Sequence, residues 1–94
     1  MALTFEWEPD KAKENLRKHR VSFDEAMTSF RDPLGHLVED PRRSIGEQQY
    51  ALLGISGRGR LLAVMFTERG ERGRLISARR ATNPERIDYE ESSR

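Results

Sequence analysis

Apolar and polar residues follow two periods along this chain, and the switches between them mark its elements. Leu3 to Trp7 alternates apolar with polar, the two-residue period of a short strand. Glu8-Pro9 then opens a helix, because proline's fixed φ and missing N–H suit the first helical position. Lys11 to His19 carries that helix, with Ala12, Leu16 and His19 at i, i+4 and i+7 on one face. The stripe is thin, which predicts a helix on the surface of the core. Val21 to Phe30 predicts a second helix. Ser22 and Glu25 form an S-x-x-E capping box, and Val21 is placed to staple onto Ala26. Phe23, Ala26, Met27 and Phe30 make its core-facing stripe, and Asp32-Pro33 ends it.

Four strands follow. Leu34 to Glu39 reads as one, weakened by Gly35, and Asp40 to Ser44 as a polar loop. Gln48 to Ser56 is the next, with Tyr50, Leu52 and Gly54 on one face and Ala51, Leu53 and Ile55 on the other. Ser56 to Gly59 is a tight turn. Leu61 to Phe66 is nearly all apolar, the mark of a central strand buried on both faces. A Gly-rich turn over Arg69 to Gly73 closes a hairpin with a last strand ending at Arg79-Arg80. Thr82 and Glu85 give a second capping box with Pro84 in the first turn. A short helix continues through Ile87 and Glu90, and Glu91 to Arg94 reads as a frayed tail. The expected fold is α+β, in the order β-α-α-β-β-β-β-α, with an antiparallel sheet whose last four strands form a meander. The two N-terminal helices cover one face, a short helix closes the chain, and the opposite face stays partly open.

Length and composition narrow the class. Ninety-four residues make one small domain, 1–94. Charged and hydrophobic residues each supply 35% of the chain, but the apolar ones are clustered and periodic, which argues against disorder. There is no cysteine, so disulfides and Cys-based zinc sites are excluded and a reducing cytoplasm is the natural compartment. The N-terminus has no basic run and no long apolar stretch, so neither a signal peptide nor a membrane span is expected. His19 and His36 lie far apart without ligand spacing, and no metal or other cofactor is expected. Charge is uneven. The whole chain carries +1, yet residues 58–80 hold seven arginines against two glutamates. That asymmetry points to a polyanionic partner.

A resemblance rests on these residues together. Phe5 to Pro9, Lys11, Asn15, Lys18-His19 and Val21 to Ala26 open it. Asp32-Pro33, Gly59 to Leu62, Phe66 to Arg69 and Ile76 to Thr82 complete it. The set resembles the BrnT family from Phe5 to about Tyr89. The resemblance implies a RelE-like fold and a bacterial type II toxin, a ribonuclease that arrests translation. It implies a BrnA-like antitoxin as partner, DNA-binding and dimeric, giving a 2:2 complex that represses its own operon and reaches operator DNA only through the antitoxin. Two positions depart from the family pattern. Glu8 stands where Asp is usual, and Arg20 where Gly would take a left-handed turn easily.

The chemistry expected of such an enzyme is cleavage of RNA without metal through its own 2′-OH. It needs a base for the 2′-OH proton, cations for the pentavalent phosphorane and an acid for the leaving 5′-oxygen. Arg79 and Arg80 are the candidates for the cation, because guanidinium forks match phosphate oxygens. Adjacent strand residues point to opposite faces, so one site takes only one of them unless the strand end bulges. Ser77 makes the Arg79 side the more polar, which favours Arg79. His19 is a candidate base or acid, or else satisfies helix carbonyls. Glu68 is a candidate base, an orienting group for an arginine, or a cross-strand ion pair. Lys11 and Lys18 contact phosphate or are solvated helix charges. Trp7 stacks an unpaired base or packs in the core. Arg58, Arg60, Arg72 and Arg74 give diffuse attraction to RNA or antitoxin. His36 has no assigned role. A second class stays open, a non-catalytic nucleic-acid-binding or regulatory module of the same fold. A third, a scaffold for a partner protein, leaves the arginines unexplained.

Overall fold

The computed structural model describes residues 4–39 and 49–92. Strand β1 (Thr4–Glu6) leads into helix α1 (Pro9–His19), then α2 (Phe23–Thr28) with a 3-10 turn over Ser29–Arg31. Strands β2 (His36–Glu39), β3 (Gln49–Ile55), β4 (Leu61–Arg69) and β5 (Arg72–Arg80) follow, and helix α3 (Asn83–Ser92) closes the chain. Leu3, Gln48, the polar loop read at Asp40 to Ser44, and residues 93 and 94 of the expected tail lie outside the described residues. Glu91 and Ser92, expected in that tail, are helical.

The sheet order is β1-β5-β4-β3-β2. The last four strands form the antiparallel meander, as adjacent strands with short connections do. The expectation of a wholly antiparallel sheet needs correction. β1 joins β5 in parallel, with Thr4 beside Arg72 and Glu6 beside Arg74, so the sheet is mixed. Local pattern could not show this, because β1 pairs with the strand most distant from it in sequence.

Two cores flank the sheet. On one face Val21, Phe23 and Ala26 bury themselves against Leu52, Leu62, Val64, Phe66, Leu75 and Ala78. An aromatic chain runs across this layer, from Phe5 to Phe30 at 4.4 Å and from Phe30 to Phe66 at 5.0 Å. On the other face Leu53, Leu61, Ala63 and Met65 pack with Tyr89 of α3. β4 is buried from Leu61 to Thr67, as its continuous apolar run requires. Tyr89 donates to Asp32 Oδ2 at 2.6 Å, which ties α3 to the segment after the 3-10 turn.

The second helix is shorter than its apolar stripe suggests. α2 stops at Thr28, whose hydroxyl turns back to Glu25 O and accepts from Gly57 N–H. The 3-10 turn that follows lies so close to β3 that a Cβ on Gly54 would stand 2.6 Å from Ser29 O. Only glycine fits there. Ser22 Oγ caps α2 by accepting from Glu25 N–H at 3.0 Å, but the Glu25 carboxylate does not return the favour. It accepts from Ser56 Oγ and from Arg60 instead. The hairpin turn is also tighter than expected. Arg69 pairs with Arg72, leaving Gly70 and Glu71 as a two-residue turn with Gly70 at φ 60.

Candidate active site

A bulge in β5 decides which of its residues share a face. Met65 pairs with Ser77 while Phe66 pairs with Leu75, so Ile76 is the extra residue. Strict alternation groups Ile76 with Ala78 and Arg80, and Leu75 with Ser77 and Arg79. The structure corrects this grouping. Leu75 joins Ala78 in the core beneath α1 and α2, and Ile76 packs with Met65 on the α3 face. Ser77 and Arg79 remain together on that face, opposite Met65 and Ala63. Arg80 pairs with Leu62 and points to the helix-covered side, where it is exposed. The two arginines therefore do not line one surface.

Arg79 is held from the start of α3. Its Nη1 donates to Glu85 Oε1 at 2.7 Å and its Nη2 to Glu85 Oε2 at 2.9 Å. Nη1 also donates to Arg80 O at 3.4 Å. The Nε–H and the second Nη2–H, the side fork of the guanidinium, have no partner among the described residues. Glu85 closes its capping box at the same time, accepting from Thr82 N–H at 2.9 Å and donating its own N–H to Thr82 Oγ1. The hydrogen bond from Arg79 is the main reason the Glu85 carboxyl is lowered to about 2, and that from Thr82 N–H adds to it.

Asn15 positions the other half of the site. It is 5% exposed on the inner side of α1. Its amide accepts from Ala78 N–H at 3.0 Å and donates to Ala78 O at 2.8 Å, as a neighbouring strand would. A further bond to Val21 O ties down the chain after the helix. This fixes α1 alongside β5, beyond the end of the three-residue β1. The buried side of α1 is therefore Asn15 with Ala12, and Leu16, expected on the apolar stripe, is 49% exposed. α1 ends at Arg20, whose φ of 59 is left-handed, the turn that a glycine would take without strain.

Two clefts open along this junction. The first, of about 250 Å³, has Lys11, Lys18 and His19 on the helix side and Ile76 and Ser77 on the strand side. Glu14 also borders it, drawn toward Arg17 and lying 3.6 Å from Lys18. The second, of about 220 Å³, is lined by Lys11, Gln49, Thr67, Arg69, Arg74 and Ile76. The structure thus brings His19, Lys11 and Lys18 together beside Ser77, two residues from Arg79 on the same face.

Other candidates stand elsewhere. Glu68 pairs with Gly73 near the hairpin turn, five residues along β4 from the partner of Arg79, and is exposed. It neither orients nor pairs with Arg79; Glu85 does. Arg60 is placed in a structural role. It engages Glu25 through two nitrogens, one bond at 2.9 Å, and donates to Arg20 O at 3.0 Å. Arg58 is exposed, 3.9 Å from the same carboxylate. Trp7 is half-buried and packs edge-on against Phe23, with ring centres 5.8 Å apart. It also borders a shallow cleft with Glu6, Glu8 and Arg74. His36 lies 3.5 Å from Asp88.

The sequence reading missed the link from Glu85 to Arg79, because Glu85 announced itself only as a helix cap. It also missed Gln49 as a cleft residue. Asn15 did leave a signal, a polar residue among the buried positions of a helix. Among the described residues no group of three or more histidines, cysteines or carboxylates is arranged to hold a metal ion. No helix among them is long and apolar enough to cross a membrane.

Comparison with known proteins places this arrangement. Residues 7–85 match a sequence-family model described as ribonuclease toxin, BrnT, of type II toxin-antitoxin system. No curated protein matches the chain. The structure resembles the crystal structure of the Brucella abortus ribonuclease toxin, BrnT, with a TM-score of 0.63 and 20% sequence identity. That likeness covers 87% of this chain and 100% of the other, and at this identity it speaks to the fold. The family match spans both halves of the junction, from Trp7 through Glu85, and the chain belongs to the BrnT family of ribonuclease toxins of type II toxin-antitoxin systems.

Proposed function

We propose that this protein is an endoribonuclease that cleaves RNA through its own 2′-OH, with Arg79 supplying the charge at the phosphate. The observation that carries the reading is the geometry of Arg79. Glu85 grips the end of the guanidinium and leaves the side fork, on the face that Ser77 shares, without a partner among the described residues. A fork fixed in this way meets two phosphate oxygens without first losing side-chain freedom.

His19 takes the 2′-OH proton in this reading. The 2′-oxygen attacks phosphorus, Arg79 stabilises the charge gathering on the non-bridging oxygens, and the P–O5′ bond breaks as the 5′-oxygen takes a proton from solvent. The products are a 2′,3′-cyclic phosphate and a 5′-hydroxyl end. Lys11 and Lys18 hold neighbouring phosphates, and Trp7 stacks an unpaired base. The reading needs no metal ion for these steps. Glu68, Arg58 and Arg60 are given no part in them.

We read the fold as RelE-like and the site of action as the cytoplasm, where translated RNA lies. The antitoxin partner is BrnA-like, dimeric and DNA-binding, and forms a 2:2 complex that represses the operon. An acidic segment laid over the cations of the α1–β5 junction would exclude RNA by charge and by bulk.

The test is cleavage of a mixed-sequence RNA in chelator, beside Arg79→Ala, with product ends analysed. Cleavage leaving cyclic phosphate, and lost in the variant, is the expected result. Binding without cleavage, with or without ribosomes, would instead favour the non-catalytic binding module.

A further inference from the structure

Thr67 presents an anomaly. It is 2% exposed, at the last buried position of β4, and its hydroxyl has no hydrogen-bond partner among the described residues. Buried hydroxyls are nearly always paired, because desolvating one without compensation is unfavourable. Thr67 nevertheless lines the second cleft, together with Lys11, Gln49, Arg69, Arg74 and Ile76. A buried residue whose hydroxyl has no partner among the described residues thus borders a cleft lined by three cationic side chains.

We propose that this cleft is a second phosphate subsite, distinct from the position of Arg79, which holds an RNA backbone phosphate with the Thr67 hydroxyl as its buried donor. The proposal deepens the ribonuclease reading and rests on it for the identity of the ligand. Thr67 pairs with Arg74 across the β4–β5 ladder, so the two residues stand side by side in the cleft wall. Lys11 makes no ion pair among the described residues. Arg74 lies 3.7 Å from Glu8, an exposed and loose contact that a phosphate can outbid. Lys11 and Ile76 border both clefts, so the subsite is continuous with the one beside His19 and Ser77. From Arg74 to Arg79 the strand advances roughly 15 Å. A strand of RNA following β5 therefore meets a cationic position at each end, with His19 between them.

Lys11 and Arg74 attract any polyanion, but a buried hydroxyl does not. Thr67→Val keeps shape and volume and removes only the donor, which separates a built subsite from diffuse charge. The experiment measures binding of a mixed-sequence 2′-O-methyl oligoribonucleotide, which cannot be cleaved, to wild type, Thr67→Val and Arg74→Gln across a salt series. Cleavable RNA is assayed in parallel. Thr67→Val is expected to weaken binding about tenfold, the scale of one hydrogen bond to a charged group. Arg74→Gln is expected to reduce the salt slope by about 0.7, the value for one lost phosphate contact on a single strand. In cleavage the Thr67→Val loss falls on KM, as for a contact made equally in ground and transition states. Unchanged oligonucleotide affinity in Thr67→Val overturns the subsite, even where the wild type cleaves RNA normally. Weaker binding by Thr67→Val than by a wild type that binds but does not cleave supports the subsite and sinks the nuclease reading. A wild type that neither binds nor cleaves overturns both.

Discussion

Glu85 meets both terminal nitrogens of Arg79, at 2.7 and 2.9 Å, from the first turn of the helix that follows the strand. The same carboxylate accepts from Thr82 N–H at the helix start. One side chain therefore caps α3 and fixes the orientation of an arginine six residues earlier. Strand end, cap and guanidinium form a single unit.

That unit is acid-sensitive. The ordinary Glu85 value of 4.5 is lowered to about 2 in the folded chain. A lowered carboxyl contributes stability that is fully present above its unfolded value and is lost as pH falls toward the folded one. The contribution therefore disappears between pH 4.5 and about 2. Denaturant midpoints at pH 6 and pH 3 are expected to differ more in wild type than in Glu85→Gln. Equal differences would show that the pair adds nothing to folding.

Arg79 and Arg80 are adjacent but face opposite sides of the sheet, so they should separate in activity. Arg79→Lys keeps the charge and loses the fork. It is expected to lower kcat on the order of 100-fold, the cost of one lost oxyanion donor. Arg80→Ala is expected to stay within a few-fold. Single-turnover cleavage of one oligoribonucleotide compares the two, and a larger loss at Arg80 would reverse the assignment.

Thr67→Val should make the folded protein more stable while it weakens RNA binding. Its hydroxyl is buried without a partner. Replacing it by a methyl of the same shape removes a desolvated polar group, a gain of about 1 kcal/mol. Urea unfolding of the free chain measures this. A loss of stability would mean that the hydroxyl is satisfied within the fold.

Arg60 compensates the Glu25 carboxylate, which is 6% exposed. The Arg60 hydrogen bond is the largest cause of that carboxyl lying below its ordinary value. Arg60→Ala leaves the buried charge with only the Ser56 hydroxyl and the exposed Arg58 beside it and is expected to cost about 3 kcal/mol. Arg58→Ala, at a side chain 75% exposed, is expected to change stability by less than about 0.5 kcal/mol. Equal effects in chemical denaturation would put Arg60 back among the surface charges.

Arg20 holds a left-handed conformation at the end of α1, with φ 59. A side chain there costs roughly 1–2 kcal/mol, and glycine avoids that at an entropic cost of about 0.5–1. Arg20→Gly is expected to raise stability by roughly 0.5–1 kcal/mol. Its carbonyl still accepts from Arg60 in the variant. A lower thermal midpoint would mean that the Arg20 side chain contributes more than its backbone strain costs.

Local patterns determined a great deal by themselves. The apolar run Leu61 to Phe66 announced the central strand, because a strand covered on both faces has no polar positions. Ser22 and Thr82 announced two helix starts, because the groups a cap satisfies lie within three residues of it. Seven arginines between 58 and 80 carried the expectation of an anionic partner, and the joint motif announced the family. What needed the tertiary structure were relations between residues far apart in the chain. β1 pairs in parallel with β5, Asn15 takes the place of a strand beside Ala78, and Arg60 reaches back to Glu25. One bulge at Ile76 broke the two-residue alternation and regrouped Leu75, and strand period alone carries no sign of a bulge. The division among arginines is the clearest case. All seven carry the same charge in sequence, but only the folded chain decides which meets a carboxylate, because a salt bridge depends on distance in space.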